Sequence, residues 1–208
     1  MRVSSKLFSV VLIAAITAAA TDTQALTKID DFESYKGGQV IGKTYNSKPW
    51  CRFGAATNDN VVATTQSDKV MTDRLSAQYG VFWPNTFGAV RYQFDGPTNL
   101  SKHKLAAVKM RSDTESTHTQ VRLAITDGTT TYAARNFKSL KDKVQHLVFE
   151  MGPGDMILID GSGSYEQVIT KAASIGFNFK STEGQYVETI IFDDFQFVTE
   201  TDLSNSGN

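Results

Sequence analysis

The sequence predicts an all-β protein, an antiparallel β-sandwich, and three observations carry that prediction. Short runs of alternating apolar and polar residues recur along the chain, and no strong helical periodicity accompanies them. Turn signals such as Asp127-Gly128 and Asp160-Gly161 separate the runs. The pattern hydrophobic-Asp-Asp-Phe stands near both ends, at residues 29–32 and 192–195. Many short strands with regular turns are typical of a sandwich or barrel.

The first 25 residues are predicted to be a secretory signal peptide. Arg2 and Lys6 give a positive start, residues 7–20 are apolar or small, and Thr23-Gln24-Ala25 offers a cleavage site. The apolar run is too short to span a bilayer. We therefore expect a secreted protein, extracellular or periplasmic, with one domain over residues 26–202 and a flexible tail over residues 203–208.

Composition narrows the classes of partner. The chain has 21 basic and 22 acidic residues, a net charge of −1, which argues against nucleic acids and membrane surfaces as partners. Cys51 is the single cysteine, so no intrachain disulfide can form. We expect it to be a packed small side chain beside Trp50.

The predicted strands follow one another without a repeat or a linker. In chain order they cover residues 61–65, 70–78, 88–94, 105–111, 120–126, 129–134, 144–151, 174–179 and 187–198. Asp127-Gly128 predicts a tight hairpin and Asp95-Gly96-Pro97 a turn. One short helix is expected near residues 165–171.

The last run, residues 188–198, is apolar on both faces, which indicates a strand covered on both sides. Asp193 and Asp194 interrupt it, and a buried carboxylate needs a partner. A cation should therefore contact one of them. Because the same signature recurs at Ile29-Asp30-Asp31-Phe32-Glu33, we expect the two terminal strands to pair and to share a cation.

The order of these segments resembles a known family. Asp30-Asp31-Phe32-Glu33 opens the chain, Val90-Arg91-Tyr92-Gln93-Phe94 and the hairpin at Asp127-Gly128 follow, and Ile191-Phe192-Asp193-Asp194-Phe195 closes it. This order is similar to that of the β-jelly-roll carbohydrate-binding modules with a galactose-binding-like fold, found in secreted polysaccharide-degrading systems. The resemblance covers nearly all of the mature chain. It implies a jelly roll and a polysaccharide partner, although this fold hosts many functions.

The resemblance also implies a structural calcium that joins the first and last strands. By position, Glu33 and Asp193 match the usual side-chain ligands, and Asp31 and Asp194 are further candidates. Calcium takes six to eight oxygen ligands, which two carboxylates and backbone carbonyls can supply. The alternative is that these carboxylates are exposed or pair with lysine or arginine.

Strand alternation predicts a basic face. If the predicted strands are neighbours and their apolar residues point inward, one outward face carries Arg91, Gln93, Lys109, Arg111, Arg122, Asn178 and Lys180. Guanidinium groups bind carboxylate or sulfate bidentately, so an anionic polysaccharide, a uronan or a sulfated glycan, is the expected ligand. The alternative is an ordinary solvated face whose charges acidic neighbours cancel. Trp83 and Tyr132 are candidates for stacking on sugar rings, whereas Trp50 fits the core equally well.

Three functions stay open on the sequence. The first is non-catalytic polysaccharide binding on a concave sheet face. The second is a polysaccharide lyase that acts on an anionic glycan by β-elimination, for which Tyr92, Tyr132 and His118 supply ingredients. A Glu-x-Asp-x-x-Glu glucanase strand does not occur, and the three histidines lack metal-ligand spacing. The third is a structural or protein-interaction sandwich. Oligomeric state is left open.

Overall fold

The computed structural model describes residues 27–43, 47–53, 61–64, 76–82, 88–112, 118–182 and 187–205. These residues form strands and two short helices, which are, in chain order, β1 Lys28–Asp30, β2 Val40–Lys43, β3 Trp50–Phe53, β4 Val61–Thr64, β5 Ser76–Phe82, β6 Gly88–Thr98, β7 Leu105–Ser112, β8 Thr119–Thr126, β9 Thr131–Ala134, β10 Lys138–Ser139, β11 Gln145–Glu150, β12 Met156–Asp160, α1 Tyr165–Thr170, β13 Ala172–Ser181, β14 Val187–Val198 and α2 Glu200–Asn205. Neither helix is long and apolar enough to cross a membrane.

The strands form two layers of a sandwich. One layer, called the β14 layer, has the order β11-β7-β14-β5-β4, and the other, called the β13 layer, has the order β3-β6-β13-β8-β9-β12. β2 joins the layers, because it pairs in parallel with β3 and antiparallel with β4. β1 extends the pairing of β14, and β10 that of β8. The predicted antiparallel β-sandwich is therefore confirmed.

Aromatic side chains fill the space between the layers. Phe177 of β13 lies 4.6 Å from Phe195 of β14 and 6.3 Å from Phe149 of β11, measured between ring centroids. Trp50 is fully buried and stacks on Phe32 at 5.6 Å. Burial of such rings dominates the energetics of a core of this size. Trp50 is therefore a core residue.

The predicted pairing of the two ends is confirmed. β1 pairs antiparallel with β14, with Lys28 opposite Gln196 and Asp30 opposite Phe195. The register of β14 against β7 shifts after Asp193, where Asp194 adopts a positive φ of 49°. This bulge lets Asp193 and Phe195 both be fully buried.

Turns and helices follow the sequence with two differences. The hairpin at Asp127-Gly128 joins β8 to β9, as predicted. The predicted helix is α1, and Ser164 and Gln167 form a capping box at its N-terminus. Asp95-Gly96-Pro97 does not reverse the chain as predicted. β6 continues to Thr98, and the register against β13 absorbs these residues as a bulge. At the carboxyl end, α2 reaches Asn205, inside the segment predicted as tail.

Candidate functional site

The outward face of the β13 layer carries a row of polar side chains across five strands. Gln93 of β6 lies opposite Ser174 of β13, which lies opposite Thr126 of β8. Thr126 lies opposite Thr131 of β9, and Thr131 lies opposite Asp160 of β12. Directly opposed residues share a face of a sheet, so the five side chains stand side by side. We call them the polar row.

Small residues lie next to the polar row. Gly176 of β13 is flanked by Arg91 on β6 and Ala124 on β8, and Ala133 of β9 continues the line. A Cβ on Gly176 would stand 2.2 Å from the carbonyl oxygen of Val90, which is far closer than atoms approach. Close approach of β6 and β13 therefore requires glycine here.

A groove of about 560 Å³ lies over the polar row. It is lined by Arg91, Gln93, Thr126, Gly128, Thr129, Thr131, Ile159, Asp160, Ala173 and Ser174. The β8–β9 hairpin forms one end of the groove. Its turn is held by Asp127 Oδ1, which accepts hydrogen bonds from the backbone N–H of Thr129 at 2.8 Å and of Thr130 at 2.7 Å. Partial burial raises the pKa of Asp127, but its hydrogen bonds with Thr129 and Thr130 together outweigh burial and leave the pKa lowered. The rim of the groove is thus fixed by its own turn.

Arg91 forms a fixed wall of the groove. Its guanidinium is nearly buried and donates to the carbonyl oxygens of Phe177 at 2.8 Å and Val90 at 3.1 Å. It also donates to the side-chain oxygen of Asn178. Gln93 beside it donates from Nε2 to the Cys51 sulfur at 2.7 Å. Both predicted ligand residues are held in place by the protein before any ligand arrives.

Further along the same face, Arg122 and Lys180 lie over one aromatic ring. Arg122 of β8 stands opposite Asn178 of β13, and Lys180 follows Asn178 by two residues. The Arg122 guanidinium carbon lies 4.5 Å, and the Lys180 nitrogen 4.1 Å, from the centroid of Phe137. Partial burial lowers the pKa of Arg122, because desolvation disfavours its charge. Alternation thus placed Arg91, Gln93, Arg122, Asn178 and Lys180 on one face, as predicted.

Two predicted members of that face lie elsewhere. Lys109 and Arg111 belong to β7, which pairs with β11 and β14 in the other layer. The prediction of one face with all five basic residues is therefore wrong, because β7 is not a neighbour of β6, β8 or β13. Lys109 instead contacts Asp194, with the nitrogen 2.5 Å from Oδ2. Lys109 is therefore the cation that the sequence predicted for Asp193 or Asp194.

Of the two predicted stacking aromatics, Tyr132 is not on the groove face. Tyr132 lies opposite Ile125, on the core-facing side of β9, where it packs against the core. Its hydroxyl donates to the carbonyl oxygen of Gly163 at 3.1 Å, and its ring contacts Tyr165 at 5.5 Å. The predicted rim position of Tyr132 is therefore wrong. Trp83 lies outside the described residues, so its place in the site stays a prediction.

Of the acidic residues at the start of the chain, Asp30 is buried. Its Oδ1 accepts from the N–H of Phe32 at 2.8 Å, and its Oδ2 accepts from the Tyr35 hydroxyl and from Trp50 Nε1, both at 2.8 Å. Burial raises the pKa of Asp30 against the opposing effect of these three donors. The sequence did not single out Asp30 over Asp31, since register alone decides which of two adjacent carboxylates points inward.

The carboxylates predicted to hold calcium do not form a metal site in the described residues. Asp31 contacts Lys28 at 2.5 Å, Asp194 contacts Lys109, and Asp193 Oδ1 accepts from the N–H of Asp194 at 2.8 Å. Across the part of the chain that the structure describes, no three histidine, cysteine, aspartate or glutamate side chains are grouped to hold a metal ion. Asp31 and Asp194 are each paired with a lysine in this arrangement. The calcium stays a prediction.

Comparison with known proteins gives matches in structure and none in sequence. No family model and no curated protein matches the chain. The fold is similar to the family 11 carbohydrate-binding module from Clostridium thermocellum in complex with a β-1,3-1,4-mixed-linked tetrasaccharide, with TM-score 0.55 and 10% identity over 83% of this chain and 94% of that one. It is also similar to CBM28, a non-crystalline cellulose specific module, with TM-score 0.51 and 10% identity over 77% of this chain and 99% of that one.

An exo-β-agarase matches as well, with TM-score 0.56 and 11% identity, over 84% of this chain but 25% of the enzyme. Identities this low carry the fold and not the function. The predicted likeness to β-jelly-roll carbohydrate-binding modules is confirmed at the level of the fold.

Proposed function

We propose that this protein is a secreted, non-catalytic polysaccharide-binding module whose ligand lies in the groove over the polar row. The observation that carries the proposal is the groove itself, a preformed channel with convergent polar groups on a rigid sheet. The fold supports it, because the chain is similar over most of its length to whole isolated carbohydrate-binding modules.

The polar row has the chemistry that sugar hydroxyl groups require. Amide and hydroxyl side chains donate and accept hydrogen bonds, as sugar hydroxyls do, and a carboxylate accepts hydrogen bonds from them. Gln93, Thr131 and Asp160 line the groove from three different strands, so a bound chain meets partners along its length. Because strands rather than loops hold these groups, little conformational entropy is lost on binding.

An anionic ligand is the finer part of the proposal. The outward positions of β6 up to Gln93, of β13 and of β8 carry the cations Arg91, Arg122 and Lys180 and, within the described residues, no carboxylate. The outward face of the β14 layer differs, since there Lys109 stands opposite Asp193. Asp160 puts one carboxylate at the far end of the polar row. Around Arg91, Arg122 and Lys180 the field is positive, which favours a uronan or a sulfated glycan over a neutral polymer.

The first test is a panel of neutral, uronate and sulfated polysaccharides, followed by gel retardation and by ultraviolet absorbance from unsaturated uronate. Retardation without absorbance is expected. Rising absorbance would replace the proposal by a lyase that cleaves by β-elimination. Neither retardation nor a rise in absorbance with any polymer would favour a structural or protein-interaction sandwich.

A matched pair of variants locates the site. Gln93→Ala removes one member of the polar row and should weaken binding about two- to twelvefold, the worth of one hydrogen bond of about 0.5–1.5 kcal/mol. Gln196→Ala makes the same change on β14, opposite Ala107 and away from the groove, and should leave affinity unchanged. Equal losses in the two variants would move the site off the polar row.

A further inference from the structure

The cluster of Arg122, Lys180 and Phe137 holds two positive charges close together. Both lie within 4.5 Å of one ring centroid, so the two charges are at most about 9 Å apart. The ring face of Phe137 attracts each cation, which holds the two side chains beside each other despite their like charge. Arg122 and Phe137 are half-buried, so their positions are restrained by packing.

The described residues provide no carboxylate for this pair. The ion pairs formed among them involve Lys28, Lys48 and Lys109, and neither Arg122 nor Lys180. Arg122 Nε is buried and, within the same residues, makes no hydrogen bond. A buried donor without an acceptor is uncommon and destabilising. Burial also lowers the pKa of Arg122, because desolvation disfavours its charged form. One anion bound between the guanidinium of Arg122 and the ammonium of Lys180 would compensate the positive charge of each.

We infer that Arg122 and Lys180 form an anion subsite, which takes one sulfate or carboxylate group of the bound polysaccharide while Phe137 holds both cations in position. The inference rests on the proposed function and adds the group on the ligand that is recognised. Arg122 supplies the planar fork suited to two oxygens of one anion, and Lys180 a point charge.

The subsite lies on the groove face at a distance that an oligosaccharide can bridge. Arg91 stands opposite Gly176 and Arg122 stands opposite Asn178, so the two positions differ by two strands and two residues. Standard sheet spacings place their backbones roughly 12 Å apart. Asn178 lies between them and accepts a hydrogen bond from Arg91. A glycan in the groove that extends along the face toward Asn178 would bring one substituent to Arg122 and Lys180.

The test measures affinity of the full chain for a sulfated polymer, a uronan and a neutral polymer. The variant Arg122→Gln/Lys180→Gln should lose at least about 100-fold in affinity for at least one anionic polymer, because each of two charge-assisted hydrogen bonds is worth about 10- to 100-fold. Affinity for the neutral polymer should fall about twofold or less. The anionic polymer whose affinity falls more identifies the bound group as sulfate or carboxylate. Lys141→Gln/Lys143→Gln, two exposed lysines outside this face, makes the same change of net charge and should keep wild-type affinities.

Salt and a ring variant sharpen the result. Wild-type affinity for the anionic polymer should fall with rising salt, and the dependence should be flatter in the double glutamine variant. Phe137→Leu keeps both charges but removes the ring, and should cause a smaller loss, again confined to anionic polymers. Equal losses on neutral and anionic polymers, or unchanged affinity for both anionic ones, would overturn the subsite while leaving polysaccharide binding intact.

A titration with inorganic sulfate and with acetate separates the subsite from the proposed function. The nuclear magnetic resonance signal of Arg122 Nε–H, assigned by its disappearance in Arg122→Gln, should move and saturate with at least one of the two anions. If every polymer fails to bind and this signal still saturates, the proposed function fails and the anion subsite stands. If the signal does not respond to either anion, the subsite is refuted. Thermal unfolding of each variant shows that the losses are not losses of fold.

Discussion

The buried carboxylate of Asp30 gives the sharpest test of how the ends of the chain are held. Asp30 is 7% exposed, and its carboxylate accepts three hydrogen bonds, from Phe32, Tyr35 and Trp50. Asp30→Ala removes all three acceptor contacts at once. The Phe32 N–H and Trp50 Nε1 are then left buried without a partner, whereas the hydroxyl of half-buried Tyr35 can reach water.

Each buried donor without an acceptor costs about 1–3 kcal/mol, and loss of the third bond adds about 1 kcal/mol. We therefore expect Asp30→Ala to lower the free energy of unfolding by about 3–7 kcal/mol, a large part of the total for a domain of this size. Urea unfolding at neutral pH, followed by tryptophan fluorescence, measures the change. Trp50 contacts the deleted group and should report it directly.

The adjacent residue provides the matched control. Asp31 pairs with Lys28, and the two side chains are 29% and 58% exposed, so Asp31→Ala should cost at most about 1 kcal/mol. If Asp30→Ala falls within about 1 kcal/mol of Asp31→Ala, the reasoning about buried donors is refuted. Linkage gives a second readout, because burial raises the folded-state pKa of Asp30 above 3.8. The proton-linked part of the stability, which is separate from the hydrogen bonds tested at neutral pH, should be fully present below that value and be lost as pH rises through the folded pKa, a dependence that Asp30→Ala lacks.

Three further predictions test the strand contact, a buried tyrosine and the expected metal. Gly176→Ala should destabilise the fold by about 1–3 kcal/mol in urea unfolding, because the new Cβ meets the backbone of β6, whereas Gly96→Ala, with nothing within 4 Å, should be nearly neutral. Burial raises the pKa of Tyr165 to about 12, so the stability it contributes should be lost as pH rises from 10 through 12; wild type and Tyr165→Phe should converge there, and parallel curves would contradict this. If calcium joins the terminal strands, chelation lowers the melting temperature and added calcium restores it; an unchanged temperature refutes the ion.

Alternation predicted which side of a strand each residue occupies, and it did so correctly for Arg91, Arg122 and Lys180. It failed for Lys109 and Arg111, because the side of a strand on which a residue lies does not determine the layer to which that strand belongs. A period of two fixes the side locally, while membership of a layer depends on pairing between residues far apart in sequence. The pairing of the two ends was predictable because both carry the same apolar-acidic pattern.

Other parts of the site left weaker signals in the sequence. β12 was not predicted, because only five residues form it and Leu158 and Ile159 on it are exposed. Its Asp160 therefore went unrecognised as the end of the polar row. Phe137 sits in the short connection between β9 and β10, where no periodicity indicates what a side chain covers. Its role follows from the cations above it and from nothing in its neighbours along the chain.

The parallel pairing of β2 with β3 makes the two long sides of the sandwich mechanically unequal. Along one side, backbone hydrogen bonds run from β4 through β2 to β3, so separating the layers there requires breaking a ladder. The opposite side ends in β11 and β12, which are not paired with each other. At that margin lies a pocket of about 450 Å³, lined by Ala134, Val148 and Phe149 among others and by Glu200 and Leu203 of α2. The sandwich should therefore open from this margin first, because no pairing of β11 with β12 joins the layers there.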